Sequence, residues 1–258
     1  MRFLILTKRS LLIIMLCVLL GIASVSIGLN SVSKAVATAS TERVIPIYCI
    51  DRKDKVCSIS FDAAWGNEQT DDLLDTLDEY EVKTTFFLVG SWVKKYPDSV
   101  KKISKKGHDI GNHSSTHAHM PALSADKMKE EITDCNNEVK KLTGKSPTLF
   151  RPPYGDYDNN TVNTVKSLNM YPVQWNIDSL DWKDPSVEQI VKNCTDKLTE
   201  GSIILLHNGA ANTPAALPKI IEAIKDKGYK IVPISKLIPK GDYTTDVTGK
   251  MILKNKKT

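Results

Sequence analysis

From about Val44 onward the chain alternates short β-branched or apolar runs with longer stretches of helical spacing, and this alternation constrains the fold more than any other feature. "VCSISF", "TTFFLVG", "HDIGN", "TLF", "YPVQWNI", "SIILLH" and "YKIVPI" read as strands. "TDDLLDTLDEY" carries Leu73, Leu74 and Leu77 at helical spacing, and "DSVKKISKKG" stops at Gly107. "SADKMKEEITDCNNEVKKLTG" has a serine start, early acids, late lysines and a terminal glycine, the usual signals of a long helix. Further helices are expected near 158–168, 186–199 and 214–227. Strands separated by helices pair in parallel through right-handed crossovers. About seven such units predict an α/β fold, a distorted (β/α) barrel of about seven parallel strands. An open doubly wound sheet is the alternative, but no glycine-rich phosphate loop supports a nucleotide site there.

The residues before this pattern have another character. Arg2, Lys8 and Arg9 precede a run from Leu11 to Leu29 that carries no charge, and A-x-A sites follow at Ala35–Ala37 and Ala37–Ala39. Residues 1–29 therefore read as a signal peptide or an N-terminal membrane anchor, with 30–43 as a small, polar linker. Both readings place the remainder outside the cytoplasm, secreted or anchored and facing the cell wall. A 44–240 domain and a basic 241–258 tail complete the expected organisation. An intracellular enzyme with a misread leader is the distant rival.

The formal charge of +5 comes from the two ends. Without residues 1–37 and Gly249–Thr258 the chain holds 27 basic and 30 acidic residues, which argues against nucleic acid as a partner. The five cysteines show no C-x-x-C metal spacing. Cys49 and Cys57 flank "IDRKDK", which reads as a hairpin turn; across it they could form a disulfide or remain two buried thiols.

Reactive side chains fall where the strands end. Asp62 follows "SISF", His113 and His117 follow "HDIGN", and Arg151 follows "TLF". Asp178 and Asp181 follow "VQWNI", and His207 closes "SIILL". Each alone has an ordinary explanation: a helix cap, a surface ion pair, a satisfied core histidine. In a β/α barrel, however, the C-terminal strand ends surround one mouth. Packing does not explain why five strands should deliver this set to one place. The two imidazoles of "HSSTH" can face one ion if the segment turns helically.

These motifs, in this order, resemble the polysaccharide deacetylases, the family-4 carbohydrate esterases, and within them a sporulation-type deacetylase-like subgroup. "SFDAAWG" stands where the family has Thr-Phe-Asp-Asp-Gly. "HSSTH", "RPPYG", "DSLDW" and "LLH" match its His-x-x-x-His, Arg-x-Pro-Tyr, Asp-x-x-Asp-Trp and Leu-x-His motifs. The resemblance spans roughly Val56 to Pro239 and implies a metal-dependent N-deacetylase of cell-wall or spore-cortex glycan, a peptidoglycan or chitin-like polymer. It implies a divalent metal on His113 and His117, zinc first, with cobalt, nickel or manganese as alternatives. Asp62 would be the general base, oriented by Arg151, and His207 the general acid, aligned by Asp181. The Tyr154 backbone N–H would receive the oxyanion, and Trp182 and Leu205 would wall the acetyl pocket.

One position departs from the family. Ala63 stands where the family has the aspartate that is the third metal ligand, so metal affinity and activity are expected to be weak. His119, Asn67 or Glu68 could supply the missing ligand if a loop brings one close. The alternative is a catalytically inactive carbohydrate-binding protein of the same fold.

Overall fold

The structure is a computed structural model and describes Met15 and residues 43–254. The leader or anchor read over 1–29 and the linker up to residue 42 lie outside the described residues, Met15 apart. Val44–Thr258 forms one compact unit.

Its centre is a parallel sheet. The strands on its path are β2 (Val56–Ala63), β3 (Thr85–Leu88), β4 (Asp109–Asn112), β5 (Leu149–Phe150), β6 (Tyr171–Pro172), β7 (Ile177–Asp178) and β8 (Ile203–His207). They lie in the order β6-β5-β4-β3-β2-β8-β7, and β9 (Lys230–Ile231) pairs with the start of β2. The two edges, β6 and β7, are consecutive in the chain and only residues 173–176 separate them. Four residues span about 14 Å at most, so the sheet must curl until its edges nearly meet. The chain thus has the distorted (β/α) barrel that the alternating pattern predicts. "YPVQWNI", read as one strand, is instead the closing strap between the edges. Gln174 N donates to Ile47 O and Asn176 N to Ile203 O along it.

Strand β2 is buried along its whole length, and its two faces differ. Cys57, Ile59, Phe61 and Ala63 pack outward against helices Thr70–Glu79, Gly90–Lys95 and Thr213–Asp226, in a cluster with Leu73, Leu74, Val93 and Ile221. The alternate residues Ser58, Ser60 and Asp62 are small or polar. They leave interior volume that the fully buried Arg151 fills, with its guanidinium carbon 4.1 Å from the centroid of the Phe87 ring. Helix Ala125–Thr143 begins at Ser124, whose side chain accepts from Lys127 N, and ends at Gly144 with φ 75°. Both caps follow the signals in the sequence.

Two expectations are corrected. The segment between Cys49 and Cys57 is not a hairpin. Strand β1 (Cys49–Ile50) pairs with a C-terminal strand, whereas Cys57 lies in the large sheet. Both thiols are free, and burial pushes that of Cys57 up to about 12. The basic tail also belongs to the fold as far as Leu253. Strands β10 (Tyr243–Thr245) and β11 (Lys250–Leu253) form a small sheet with β1, and Met251 seats in the core between the exposed Lys250 and the half-buried Ile252. Asp246 organises the intervening turn by accepting from Thr248 N and Lys250 N.

At the opposite end of the sheet from the strand C-termini lies a buried histidine. His108 Nδ1 accepts from Thr84 N at 3.2 Å, its ring meets Phe86 edge-on, and its Nε2 has no partner among the described atoms. Burial, aided by the charge of Lys83, pushes its pKa down to about 4. The unfolded chain binds this proton near pH 6.5 and the folded chain only near 4. Its contribution is therefore complete above 6.5 and lost as the pH falls toward 4. Urea titrations across this window should show that His108→Asn, whose amide oxygen can replace Nδ1 as acceptor, loses about 3 kcal/mol less than the parent chain. Parallel pH dependences in the two proteins would refute the assignment.

Candidate active site

The C-terminal ends of β2, β4, β5, β7 and β8 open onto one cavity of about 460 Å³. Of the nine site residues read from the sequence, Asp62, His113, His117, Tyr154, Trp182, Leu205 and His207 line it. Arg151 and Asp181 stand directly behind Asp62 and His207. Strand register explains part of this. Asp62 pairs with His207 across β2 and β8, and Leu205 pairs with Ser60 on one side and Asp178 on the other.

Two charge pairs face the cavity. Arg151 Nη1 donates to Asp62 Oδ1 at 2.7 Å, and its Nη2 donates to Ser60 Oγ and Gln174 O. Burial works to raise the Asp62 pKa. The Arg151 charge, the largest of the opposing influences, outweighs it and holds the carboxyl below the usual range. On the other side His207 Nδ1 donates to Asp181 Oδ1 at 2.7 Å. Asp181 Oδ2 also accepts from His207 N and from Thr213 Oγ1. Burial works to lower the His207 pKa, but the hydrogen bond and charge of Asp181 raise it above the ordinary imidazole value. A carboxyl whose ionised form is favoured thus faces an imidazole whose protonated form is favoured.

The two remaining imidazoles come together without a helix. Residues 113–117 form a bend with Ser114 and His117 at φ 65° and 63°, and the rings of His113 and His117 meet with centroids 4.9 Å apart. Ser114 N donates to Asn112 Oδ1 and His117 N to Ser114 Oγ. Glu131, from the helix below, accepts from Ser115 N, Thr116 N and Thr116 Oγ1. Four of the seven non-glycine residues with left-handed φ among the described residues lie in the mouth loops: Ser114, His117, Tyr154 and Leu180. Such conformations cost about 1–3 kcal/mol each, and this end of the barrel gathers most of them.

The donor chemistry can be tested against a cation. His113 Nδ1 donates to Arg151 O at 2.7 Å, which leaves Nε2 with its lone pair toward the cavity. Burial lowers the pKa of His113, and burial with the neighbouring His113 pushes His117 down to about 4, so both rings stay neutral. His113 Nε2 lies 3.4 Å from Asp62 Oδ2, an arrangement of two acceptors that a cation between them relieves. The pair of imidazoles therefore fits a divalent ion. The three side chains considered as a further ligand are engaged elsewhere. His119 contacts Asp156 and stacks on Tyr154, Asn67 donates to Ser99, and Glu68 folds back over Gly66. Among the described residues no group of three or more His, Cys, Asp or Glu is arranged to hold a metal. Of the two alanines after Asp62, Ala63 is sealed in the outer core and Ala64 lines the cavity.

The sequence left several contributors unread. Ser60, Gln174 and Thr213 hold the reactive groups, and Asn112 and Glu131 hold the 113–117 bend, through polar contacts that have no periodic signature. Trp65 and Trp175 line the cavity; an indole at a strand end was the available signal for Trp65.

Comparison with known proteins agrees with the geometry. The polysaccharide deacetylase family matches residues 50–173. A peptidoglycan-N-acetylglucosamine deacetylase of Bacillus cereus is 35% identical over 194 residues, which are 73% of this chain and 91% of that protein. The chain is 33% identical to YlxY of Bacillus subtilis, covering 75% of this chain but only 60% of that longer protein. Among solved structures, a family-4 pseudoenzyme from Bacillus anthracis superposes with a TM-score of 0.72 at 32% identity, over 74% of this chain and 68% of that one. A mutant of that pseudoenzyme with restored enzymatic activity superposes equally well, at 33% identity. By sequence, fold and the order of its site residues, this chain belongs to the polysaccharide deacetylase family.

Proposed function

We propose that the chain is an N-deacetylase of cell-wall glycan, releasing acetate from acetamido sugars outside the cytoplasm, on the cell-wall side of the membrane. The observation that carries this reading is the pair of buried ion pairs, Asp62–Arg151 and Asp181–His207, facing one cavity that also holds His113 and His117. The apolar, uncharged run at Leu11–Leu29 supports export or anchoring, and the names of the relatives support peptidoglycan as the polymer.

His113 and His117 would hold the divalent ion, zinc or a similar one, which supplies Lewis acidity toward water and the acetyl carbonyl. The chain's own groups manage the protons. Asp62, with Oδ1 engaged by Arg151, accepts the proton of the attacking water at Oδ2. The Tyr154 N–H would receive the carbonyl oxygen, which gains negative charge as water adds to the acetyl carbon and loses it as the C–N bond breaks. His207, with Nδ1 engaged by Asp181, donates from Nε2 to the departing nitrogen. Acetate and a free amine on the sugar are the products. Trp182 and Leu205 exclude water around the acetyl methyl.

A second reading, a glycan-binding protein without catalysis, is favoured by one observation. No third metal donor joins the two imidazoles among the described residues, and two alanines follow Asp62. Restoring a carboxylate there separates the readings. Zinc titration by calorimetry should show affinity rising by at least about tenfold in Ala63→Asp or, at the cavity wall, in Ala64→Asp. Acetate release from peptidoglycan should rise in the same variant. Tighter metal binding without any acetate release would favour the binding protein. No zinc binding in the parent or in either variant would remove the metal from this site.

The acid–base assignment makes a separate prediction. Asp62 must be ionised and His207 protonated, so kcat/KM should fall at low pH through Asp62 and at high pH through His207. Because Asp181 is what raises the His207 pKa, Asp181→Asn should move the alkaline limb to lower pH. NMR titration of the His207 ring should show the same downward displacement whether or not turnover is measurable. An unmoved His207 titration would reject the Asp181 role.

A further inference from the structure

Trp65 follows Asp62 by three residues and has no part in the proton transfers above. Its placement is nonetheless closely determined. The next residue, Gly66, has φ 56°, a left-handed turn that glycine adopts without strain. The carbonyl of Gly66 accepts the indole N–H of Trp92, itself buried in helix Gly90–Lys95, so the turn is pinned to the core. On its other side the Trp65 indole lies against Gly209. A Cβ at Gly209 would stand 2.6 Å from Trp65 Nε1 and 2.7 Å from its Cδ1 and backbone oxygen, closer than real contacts allow. Only a residue without a side chain leaves that space.

Held in this way, the indole stacks on the His207 ring, with centroids 5.4 Å apart and planes 28° from parallel. It lines the cavity and remains 45% exposed. A tryptophan needed only for packing would be expected to bury more of its large apolar surface. Here the surrounding chain keeps an apolar face presented to the cavity beside the proton donor. Trp182 and Tyr154, 50% and 61% exposed, present further aromatic surface around the same opening.

We infer that Trp65 is a substrate-binding residue, the platform for the pyranose ring whose acetamido nitrogen His207 serves. This rests on the deacetylase reading of the site. The nitrogen that takes the proton is bonded directly to that ring, so a ring within reach of His207 is also within reach of the indole stacked on it. The C–H face of a pyranose is apolar and flat enough to cover an indole, while its hydroxyl edge remains free for polar partners. The chemical class of ligand is a β-linked N-acetyl amino sugar, bound through its ring and not through its acetyl group.

The test is calorimetric titration of the full chain with a pentamer of N-acetylglucosamine, with thermal unfolding of each protein as a control for folding. Trp65→Ala should weaken binding by about tenfold or more, and Trp65→Phe, which keeps an aromatic face, should weaken it less. Gly209→Ala keeps the indole but displaces it, and should also weaken binding. Equal affinity of the parent chain and a folded Trp65→Ala would overturn the inference and leave the deacetylase reading untouched. An equal loss in Trp65→Phe and Trp65→Ala, with Gly209→Ala unaffected, would also overturn it. No affinity of the parent chain for the oligomer would overturn both.

Discussion

Arg151 is the member on which the interior depends. It enters from the end of β5, crosses the barrel, and reaches Asp62 and Ser60 on β2 and the Gln174 carbonyl on the closing strap. Those contacts tie opposite parts of the curled sheet together through one side chain. The small residues Ser58 and Ser60 make room for it, and Phe87 and Trp175 receive the faces of its guanidinium. Taking a carboxylate and a guanidinium out of water costs several kcal/mol per ion, and apolar residues of similar volume often serve stability equally well. Stability alone is thus a poor reason for the pair. A carboxylate kept ionised at the floor of a cavity is a better one.

The same logic runs on the other side of the mouth with opposite sign. Asp181 is fully buried and uses its oxygens on the ring N–H and backbone N–H of His207 and on Thr213. The ring is fixed in orientation as well as in charge. Because β2 and β8 are adjacent and Asp62 pairs with His207, the proposed base and the proposed acid are separated by one strand spacing. Proton acceptance and proton donation can therefore serve two bonds of one small group.

Much of this was legible in the sequence. Parallel strands with helical crossovers put every strand C-terminus at one mouth, so Asp62, His113, Arg151, Asp181 and His207 could be gathered before any coordinate was known. What failed was non-local. "YPVQWNI" looks like one strand, yet it bridges the two edges of the sheet, a fact that depends on partners far away in the chain. The C-terminal strands look like a basic tail because lysines bracket the short run 251–253, in which only Met251 is fully buried. The hairpin expected around Cys49 and Cys57 failed because β1 finds its partner in residues 250–251, about two hundred positions on. "HSSTH" suggested a helical turn, and the structure reaches the same meeting of rings by two left-handed residues and a glutamate from a neighbouring helix.

The end of β2 is where the family pattern and this chain part. The family places a second carboxylate there; this chain places two alanines, a tryptophan and a glycine. The substitution removes a negative oxygen and brings an indole to the acid side of the cavity, pinned by Trp92 and admitted by Gly209. These changes act on different quantities. Loss of a carboxylate would lower the affinity for a cation, while the indole adds apolar surface to the cavity. On the proposed reading, a site altered in both ways would hold a glycan more through ring stacking and less through an acetyl oxygen on a metal. Such a shift suits a binding protein and a slow deacetylase equally in its geometry. The buried pairs Asp62–Arg151 and Asp181–His207 bear on that choice, because binding a neutral sugar requires neither of them.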